Sequence, residues 1–207
     1  MISYIVASNH WPTLRDNLGS SVAGIGGDEV VVVEHPESIA KAYNEGQARA
    51  TQPVRCYVHS DVLILDAPRL RADLVEHCTD AVGLVGVIGS RTPVVPWWDG
   101  QTCGSVVDGR MGLLDFGLGG GCAYLDGLLL ATAQTVVWDE SYPGFHLYDH
   151  DMSAQMLAKG LPNWCLDRGH ELVRHNTKGP RVMDQLVGWD EGVARFNEKW
   201  GRDGDAD

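Results

Sequence analysis

Four consecutive valines in Glu29-Val30-Val31-Val32-Val33 set the first constraint on the fold. β-Branched side chains are stiff at χ1 and suit a pleated surface, so the run reads as a strand. It does not alternate with polar residues, which predicts burial on both faces, as in a parallel sheet covered by helices. The flanking segments point the same way. Residues 2–7 read as a first strand, and residues 38–50 place Ile39, Ala42, Tyr43, Gly46 and Ala50 on one helical face behind a Ser38 cap. Residues 54–58 form a third strand, 62–65 continue apolar, 70–78 read as a helix and 82–89 as a fourth strand. Strand and helix thus alternate through the first ninety residues, predicting an α/β domain with a mostly parallel sheet.

Three of these strands end in polar residues: Ser8-Asn9, Glu34, and His59-Ser60-Asp61. Open α/β sheets bind ligands beyond the carboxyl ends of their strands, so these residues are the first pointer to a site. Pro12 opens a short helix within residues 11–19, and Gly24-Ile25-Gly26-Gly27-Asp28 reads as a turn.

The second half is less regular. Residues 93–112 form a long loop carrying Trp97-Trp98, with a hairpin signalled by Asp108-Gly109. Tandem tryptophans serve either as a stacking surface or as core. Gly119-Gly120-Gly121 has no lysine in the P-loop position and does not match G-x-G-x-x-G opening a helix. Asp126 sits among apolar residues, where a carboxylate needs a partner or a ligand. The stretch Gly144-Phe145-His146-Leu147-Tyr148-Asp149-His150-Asp151 then leads into a helical pattern that Gly160 stops. Asp149 and Asp151 are two apart and point in different directions, so one can face a cleft while the other caps the helix. Residues 164–167 and 171–174 read as a short strand or hairpin delivering His175, and residues 188–200 as an amphipathic helix.

A net charge of −12 disfavours broad electrostatic binding to nucleic acid or anionic membrane. The five cysteines are scattered and never form C-x-x-C, which suggests buried thiols and neither a disulfide framework nor a zinc site. The N-terminus does not read as a signal peptide, and no apolar run approaches bilayer-spanning length, so the expectation is a cytoplasmic soluble protein.

In their order along the chain, several of these motifs resemble the inverting family 2 glycosyltransferases. The likeness is to the small family 2-like branch related to a streptomycin-biosynthesis domain. The residues that carry it are Ala7-Ser8-Asn9, Ser38 to Gly46, Tyr57-Val58-His59-Ser60-Asp61-Val62, Leu125-Asp126-Gly127, Gly144 to Asp151, His175, and Phe196-Asn197-Glu198-Lys199-Trp200. The resemblance implies a GT-A-type nucleotide-diphospho-sugar transferase fold, with a mostly parallel central sheet, flanking helices and a small antiparallel addition. It implies one domain over residues 1–201, with a nucleotide-binding half at 1–90, an acceptor and catalytic half at 91–201, and a disordered acidic tail at 202–207.

The site follows residue by residue. His59-Ser60-Asp61 occupies the place of the D-x-D motif, with His59 where the first Asp stands, and Asp61 would bind Mn²⁺ or Mg²⁺ together with His175. Asp149 takes the place of the catalytic base, and Tyr148 replaces the Glu often found before it. Ser8, Asn9, Glu34, His59 and Ser60 would meet the donor nucleotide, favoured as a UDP-sugar. Asp126, Gly127, Trp97, Trp98, His146 and Tyr148 would line the donor sugar or acceptor. The acceptor stays open: a saccharide, lipid-linked sugar, small metabolite, protein or modified DNA base. Two other readings keep the fold, a non-catalytic nucleotide-sugar-binding module and a nucleotidyltransferase. The glycine turn at residues 24–28 lacks the basic residue that a nucleotidyltransferase wants for triphosphate.

Overall fold

The structure, a computed structural model, describes residues 1–22, 27–177 and 188–201. The turn at residues 24–28 falls mostly outside the described residues, and the acidic tail at 202–207 wholly outside them.

Strand β1 (Ile2–Ser8) leads into one irregular helical segment: α1 (Trp11–Leu14), a π-helical stretch at Arg15–Gly19, and α2 (Ser20–Val22). Pro12 stands in its first turn, and the His10 side chain caps it by accepting from the Thr13 N–H. The valines form β2 (Glu29–Glu34), and Ser38 caps helix α3 (Ile39–Arg49) by accepting from the Lys41 N–H at 3.3 Å. β2 is an edge strand, paired in parallel with β1. Val31 and Val33 are buried, Val31 in one cluster with Ile39, Ala40 and Tyr43 of α3, but Val30 is 41% exposed, so the strand is not covered on both faces. The reason is local. α3 covers one face, while the short segment around Trp11 to Ser20 only borders the other and leaves a groove against Val30 and Val32. Gly46 lets α3 sit close to the sheet, because a Cβ there would lie 2.4 Å from Ile5 Cγ2.

Strands β3 (Val54–Val58) and β4 (Val62–Ile64) follow, then α4 (Ala67–His77), β5 (Val85–Gly86) and β6 (Ile88–Ser90). The expected fourth strand is therefore two strands that part at Val87 and enter different sheets. The run stays apolar because both sheets bury it. The hairpin appears as β7 (Thr102–Asp108) and β8 (Gly112–Asp115), with Asp108 opposite Gly112. Strands β9 (Gly120–Cys122), β10 (Tyr124–Leu125) and β11 (Leu129–Thr132) precede helix α5 (Tyr148–Ala158). The chain continues through β12 (Asn163–Cys165), α6 (Gly169–Leu172), β13 (Val173–His175) and α7 (Trp189–Trp200). β12 and β13 do not pair as a hairpin: they belong to different sheets, with α6 between them.

The larger sheet runs β2-β1-β3-β11-β5-β12-β9. Its first three strands are parallel, and β11 lies antiparallel between β3 and β5. The second sheet runs β10-β6-β7-β13-β4, with β8 on β7, and is antiparallel except at β7–β13. All five cysteines are free and buried.

Asp151 does not cap α5. It is the fourth residue of the helix, past the capping position, which Leu147 occupies in a left-handed conformation (φ 60°) without a side-chain cap. Asp151 is 1% exposed and gathers other donors. Tyr142 O–H reaches it at 3.1 Å, Gln155 Nε2 at 2.7 Å, Trp200 Nε1 at 2.9 Å and Lys199 Nζ at 2.8 Å. The carboxylate thereby ties α7 to α5. An N-cap exchanged for alanine loses roughly 1 kcal/mol, whereas breaking a buried, multiply bonded carboxylate costs about 3 kcal/mol or more. Asp151→Ala is expected to lower the urea midpoint by an amount equivalent to about 3 kcal/mol at unchanged m-value; a loss near 1 kcal/mol would return Asp151 to a cap-like role.

Candidate functional site

The site lies where the carboxyl end of β3 meets the second sheet. His59-Ser60-Asp61 makes the turn between β3 and β4, closed by Val62 N–H donating to His59 C=O at 3.2 Å. His59 N–H donates to Leu128 C=O at 3.0 Å, which fixes the turn against the start of β11. Strand register then decides what faces it. β13 pairs His175 with Val62 of β4 on one side and with Asp108 of β7 on the other. The imidazole consequently stands between two carboxylates, with Nε2 3.3 Å from Asp61 Oδ1 and Nδ1 3.5 Å from Asp108 Oδ2. Asp108 is itself anchored. Its Oδ1 accepts from the Arg110 and Met111 N–H groups at 2.8 and 3.0 Å, and its Oδ2 from Thr177 Oγ1 at 2.7 Å. Ligand-capable atoms of His59, Asp61 and His175 all lie within 4.8 Å of one another, as a metal-binding group requires.

Tyr148 begins α5 and links this cluster to the helix. Its ring packs among Tyr43 and Trp138, at centroid distances of 5.9 and 5.8 Å, and its hydroxyl shares a 2.6 Å hydrogen bond with His59 Nε2. Asp149 follows, with its side chain 13% exposed. Its Oδ1 accepts from the His150 backbone N–H and from His150 Nδ1, both at 2.9 Å, and its Oδ2 accepts from the Gly127 N–H at 3.0 Å. Asp126 accepts from the Leu128 N–H at 2.9 Å and from the Trp97 indole at 3.1 Å.

Burial and neighbours push the ionisable groups apart. Burial raises the Asp126 carboxyl, and the Asp149 charge adds to that. Burial also raises Asp149, but the His150 ring and the N–H groups of His150 and Gly127 outweigh it and hold the carboxyl below its ordinary value. The same balance lowers Asp61, where hydrogen bonding and charge from His175, together with His59, overcome burial. Burial and the nearby His175 lower His59, whereas Asp61 and the other carboxylates overcome burial at His175 and raise it. The Tyr148 phenol is driven well above its ordinary range, first by burial and then by the surrounding Tyr43 and carboxylates, so it keeps its proton. Of the acids here, Asp149 and Asp61 are set to be ionised and Asp126 tends towards the protonated form.

The other expected site residues divide. Ser8 and Glu34 stand opposite each other at the carboxyl ends of β1 and β2, on the same edge as His59. Ser8 Oγ accepts from the His10 N–H at 3.3 Å, the Glu34 carboxylate from the Trp11 indole at 2.9 Å, and Asn9 is exposed. Trp97 is buried and serves Asp126, while Trp98 is half exposed and stacks on Trp189, with centroids 5.7 Å apart and ring planes at 28°. His146 meets Trp189 edge-on at 5.5 Å. Three residues at the site carried no functional signal in the sequence: Asp108 looked like a hairpin residue, His150 lay between two aspartates, and Trp189 belonged to an ordinary amphipathic helix.

A mixed sheet whose parallel strands end in a His-Asp-His cluster, with carboxylates from a second sheet and a helix start beside it, defines a GT-A-type glycosyltransferase fold. The chain belongs to the glycosyltransferase-like family, whose model matches residues 26–168. Solved structures agree on the fold. The mannosyltransferase PcManGT from Pyrobaculum calidifontis, in complex with GDP-Man and Mn²⁺, is similar over 100% of this chain with a TM-score of 0.65 at 15% identity. GalNAc-T7 with UDP, GalNAc and Mn²⁺ gives a TM-score of 0.55 at 12% identity, again over 100% of this chain. A Drosophila β1,4-galactosyltransferase 7 variant with manganese, UDP-Gal and xylobiose gives 0.50 at 11% identity, over 90% of this chain and 79% of its own. The chain spans 65% and 52% of the lengths of the first two. No curated protein matches it significantly.

Gly127 is where the two carboxylates and Tyr148 meet. A Cβ on it would lie 2.0 Å from Tyr148 Oη and 2.6 Å from Cζ, and the tyrosine, 5% exposed, has little room to move. Gly127→Ala is expected to break the Tyr148–His59 hydrogen bond and to destabilise the fold by about 2 kcal/mol, the scale of overpacking a filled core. Thermal unfolding of Gly127→Ala beside Gly127→Ala/Tyr148→Phe checks this. Removing the hydroxyl should restore part of the loss.

Proposed function

We propose that the chain transfers a sugar from a nucleoside diphosphate sugar to an acceptor hydroxyl with inversion at the anomeric carbon, as the likeness to family 2 enzymes implies. One observation carries this reading. An ionised, rigidly held carboxylate, Asp149, shares a site with the His59–Asp61–His175 group, and Tyr148 joins them through its hydrogen bond to His59.

The donor set fits a divalent cation. One carboxylate and two imidazoles combine a hard ligand with borderline ones, a mixture that suits Mn²⁺ better than Mg²⁺, which prefers oxygen ligands and water. When bound, the cation supplies charge neutralisation to the departing diphosphate. The chain's own residues do the rest. Asp61, His59 and His175 hold the diphosphate end of the donor. Ser8, Asn9, Glu34 and Ser60, along the same strand ends, take the base and ribose of a UDP-sugar. Residues 1–90 thereby form the nucleotide half and residues 91–201 the acceptor half. Asp149 Oδ2, whose one donor among the described residues is the Gly127 N–H, takes the proton of the acceptor hydroxyl as that oxygen attacks C1 from the face opposite the diphosphate. Asp126, Trp98, His146 and Trp189 line the acceptor side, where an aromatic surface suits a sugar ring. Among the described residues no helix is long and apolar enough to cross a membrane, and a cytoplasmic enzyme remains the reading.

A panel of UDP- and GDP-sugars with Mn²⁺, read out by nucleotide release and by NMR of the product anomer, tests the proposal. Asp149→Asn is expected to lower turnover by about 10²–10⁴-fold, the usual share of a general base, while donor affinity measured by calorimetry holds. Near-normal turnover would remove Asp149 from the role. Donor and Mn²⁺ binding without nucleotide release by the unaltered chain would identify a binding module instead.

Mn²⁺ titration followed by electron paramagnetic resonance tests the metal group separately. Asp61→Ala should abolish tight binding. Asp108→Asn should weaken it about 10–100-fold, because the carboxylate orients the ligand His175 from behind. Unchanged affinity in both variants would place the cation elsewhere.

A further inference from the structure

His150 lies between the two aspartates of the Tyr148-Asp149-His150-Asp151 stretch, and the ring is 2% exposed. Tyr124 from β10 meets it edge-on at 5.4 Å, and Phe196 from α7 does the same at 6.3 Å. Both ring nitrogens are engaged. The Trp97 backbone N–H donates to Nε2 at 3.1 Å, and Nδ1 lies 2.9 Å from Asp149 Oδ1. A backbone N–H can only donate, so Nε2 must carry a lone pair. The ring's proton is therefore on Nδ1, from which it points at Asp149.

We infer that His150 is a positioning residue for Asp149: with Nε2 held by the Trp97 backbone N–H and Nδ1–H turned to Asp149, the ring fixes the orientation of the Asp149 carboxylate. The inference rests on the reading of Asp149 as the base. Asp149 Oδ1 has both lone pairs occupied, by His150 N–H and His150 Nδ1–H, so the proton of an acceptor is left to Oδ2. Trp97 also donates its indole N–H to Asp126. A single loop residue therefore sets both carboxylates, one directly and one through His150. The line of hydrogen bonds runs from Trp97 N–H to His150 to Asp149, and no proton need move along it during turnover.

Two measurements test this. Nitrogen-15 NMR of the histidine rings is expected to show the His150 proton on Nδ1 and a hydrogen-bonded, unprotonated Nε2. A proton on Nε2 overturns the inference whether or not the chain is a transferase. Kinetics supply the second. His150→Leu should lower kcat about 10²-fold, the scale of a misplaced catalytic group, with the donor KM unchanged. His150→Asn, whose amide can stand in for Nδ1–H, should recover most of that. Equal losses in two folded variants, or a loss confined to KM, would leave His150 a packing residue only. If the unaltered chain turns over no donor while NMR shows the expected tautomer, the base assignment fails and the ring geometry stands.

Discussion

Buried carboxylates need donors, and the architecture of this site follows from where those donors come from. Asp149 and Asp151 are the same residue type two positions apart on one helix, yet their surroundings separate them. Asp151 is surrounded by long side chains and indoles from α5, α7 and the preceding loop, and its oxygens are used up in holding α7. Asp149 receives backbone N–H groups and a buried histidine ring, short and rigid donors that hold it still while leaving acceptor capacity on Oδ2. The first arrangement contributes stability and the second a poised group. Asp126, buried and with the Asp149 charge beside it, accepts from two donors among the described residues and is pushed the other way, towards its protonated form. Three acids in one low-dielectric neighbourhood are thus differentiated by their donors together with burial and neighbouring charge.

The donors are in place because two sheets share the chain at short, shared strands. The β5–β6 run parts at Val87, and β9 and β10 are likewise separated by Ala123, so each short segment feeds both sheets. This brings the β7–β13–β4 edge up to the carboxyl end of β3, and β13 then sets His175 between Asp61 and Asp108 by register. A one-residue slip in β13 would turn His175 to the other face of its sheet and dismantle the cluster. Fold and site are specified together at this strand.

How much was legible in the sequence tracks the range of the physics involved. The α/β pattern, the Ser38 cap, the helix opened by Pro12, the hairpin around Asp108-Gly109 and the helices at 148–158 and 189–200 are local, and each appears in the structure. The valine run misled because composition reports apolar character but not whether a strand is central or at an edge. Residues 82–89 misled because one unbroken apolar run served two sheets. At the site, Asp61 and His175 come together, a pairing the family resemblance implied, and His59, expected at the donor nucleotide, joins them. Asp108, His150 and Trp189 were out of reach because their roles depend on strand register, ring tautomer and inter-element stacking, none of which leaves a spacing in the sequence.

The two departures from the resembled pattern, His59 for an aspartate and Tyr148 for a glutamate, touch each other, at 2.6 Å from Nε2 to hydroxyl. Two carboxylates in this contact would set like charges against each other in a buried place, and one would have to hold a proton or share a cation. An imidazole whose charged form is disfavoured by burial and by His175, facing a phenol that keeps its proton, removes that conflict. The pair forms a neutral hydrogen bond where a charged pair would need neutralising. Negative charge is left concentrated on Asp61, Asp108 and Asp149, the groups whose pKa values are lowered. The substitutions are therefore best understood as a single coupled exchange, because either one alone would leave a buried group facing a partner it does not match. A chain that retained only the first would bury a histidine against a glutamate, and a chain that retained only the second would bury an aspartate against a phenol. Each of those pairs would reset the charge around Asp61 and His175, whereas the combination leaves the His175 imidazole between the Asp61 and Asp108 carboxylates, beside a neutral pair.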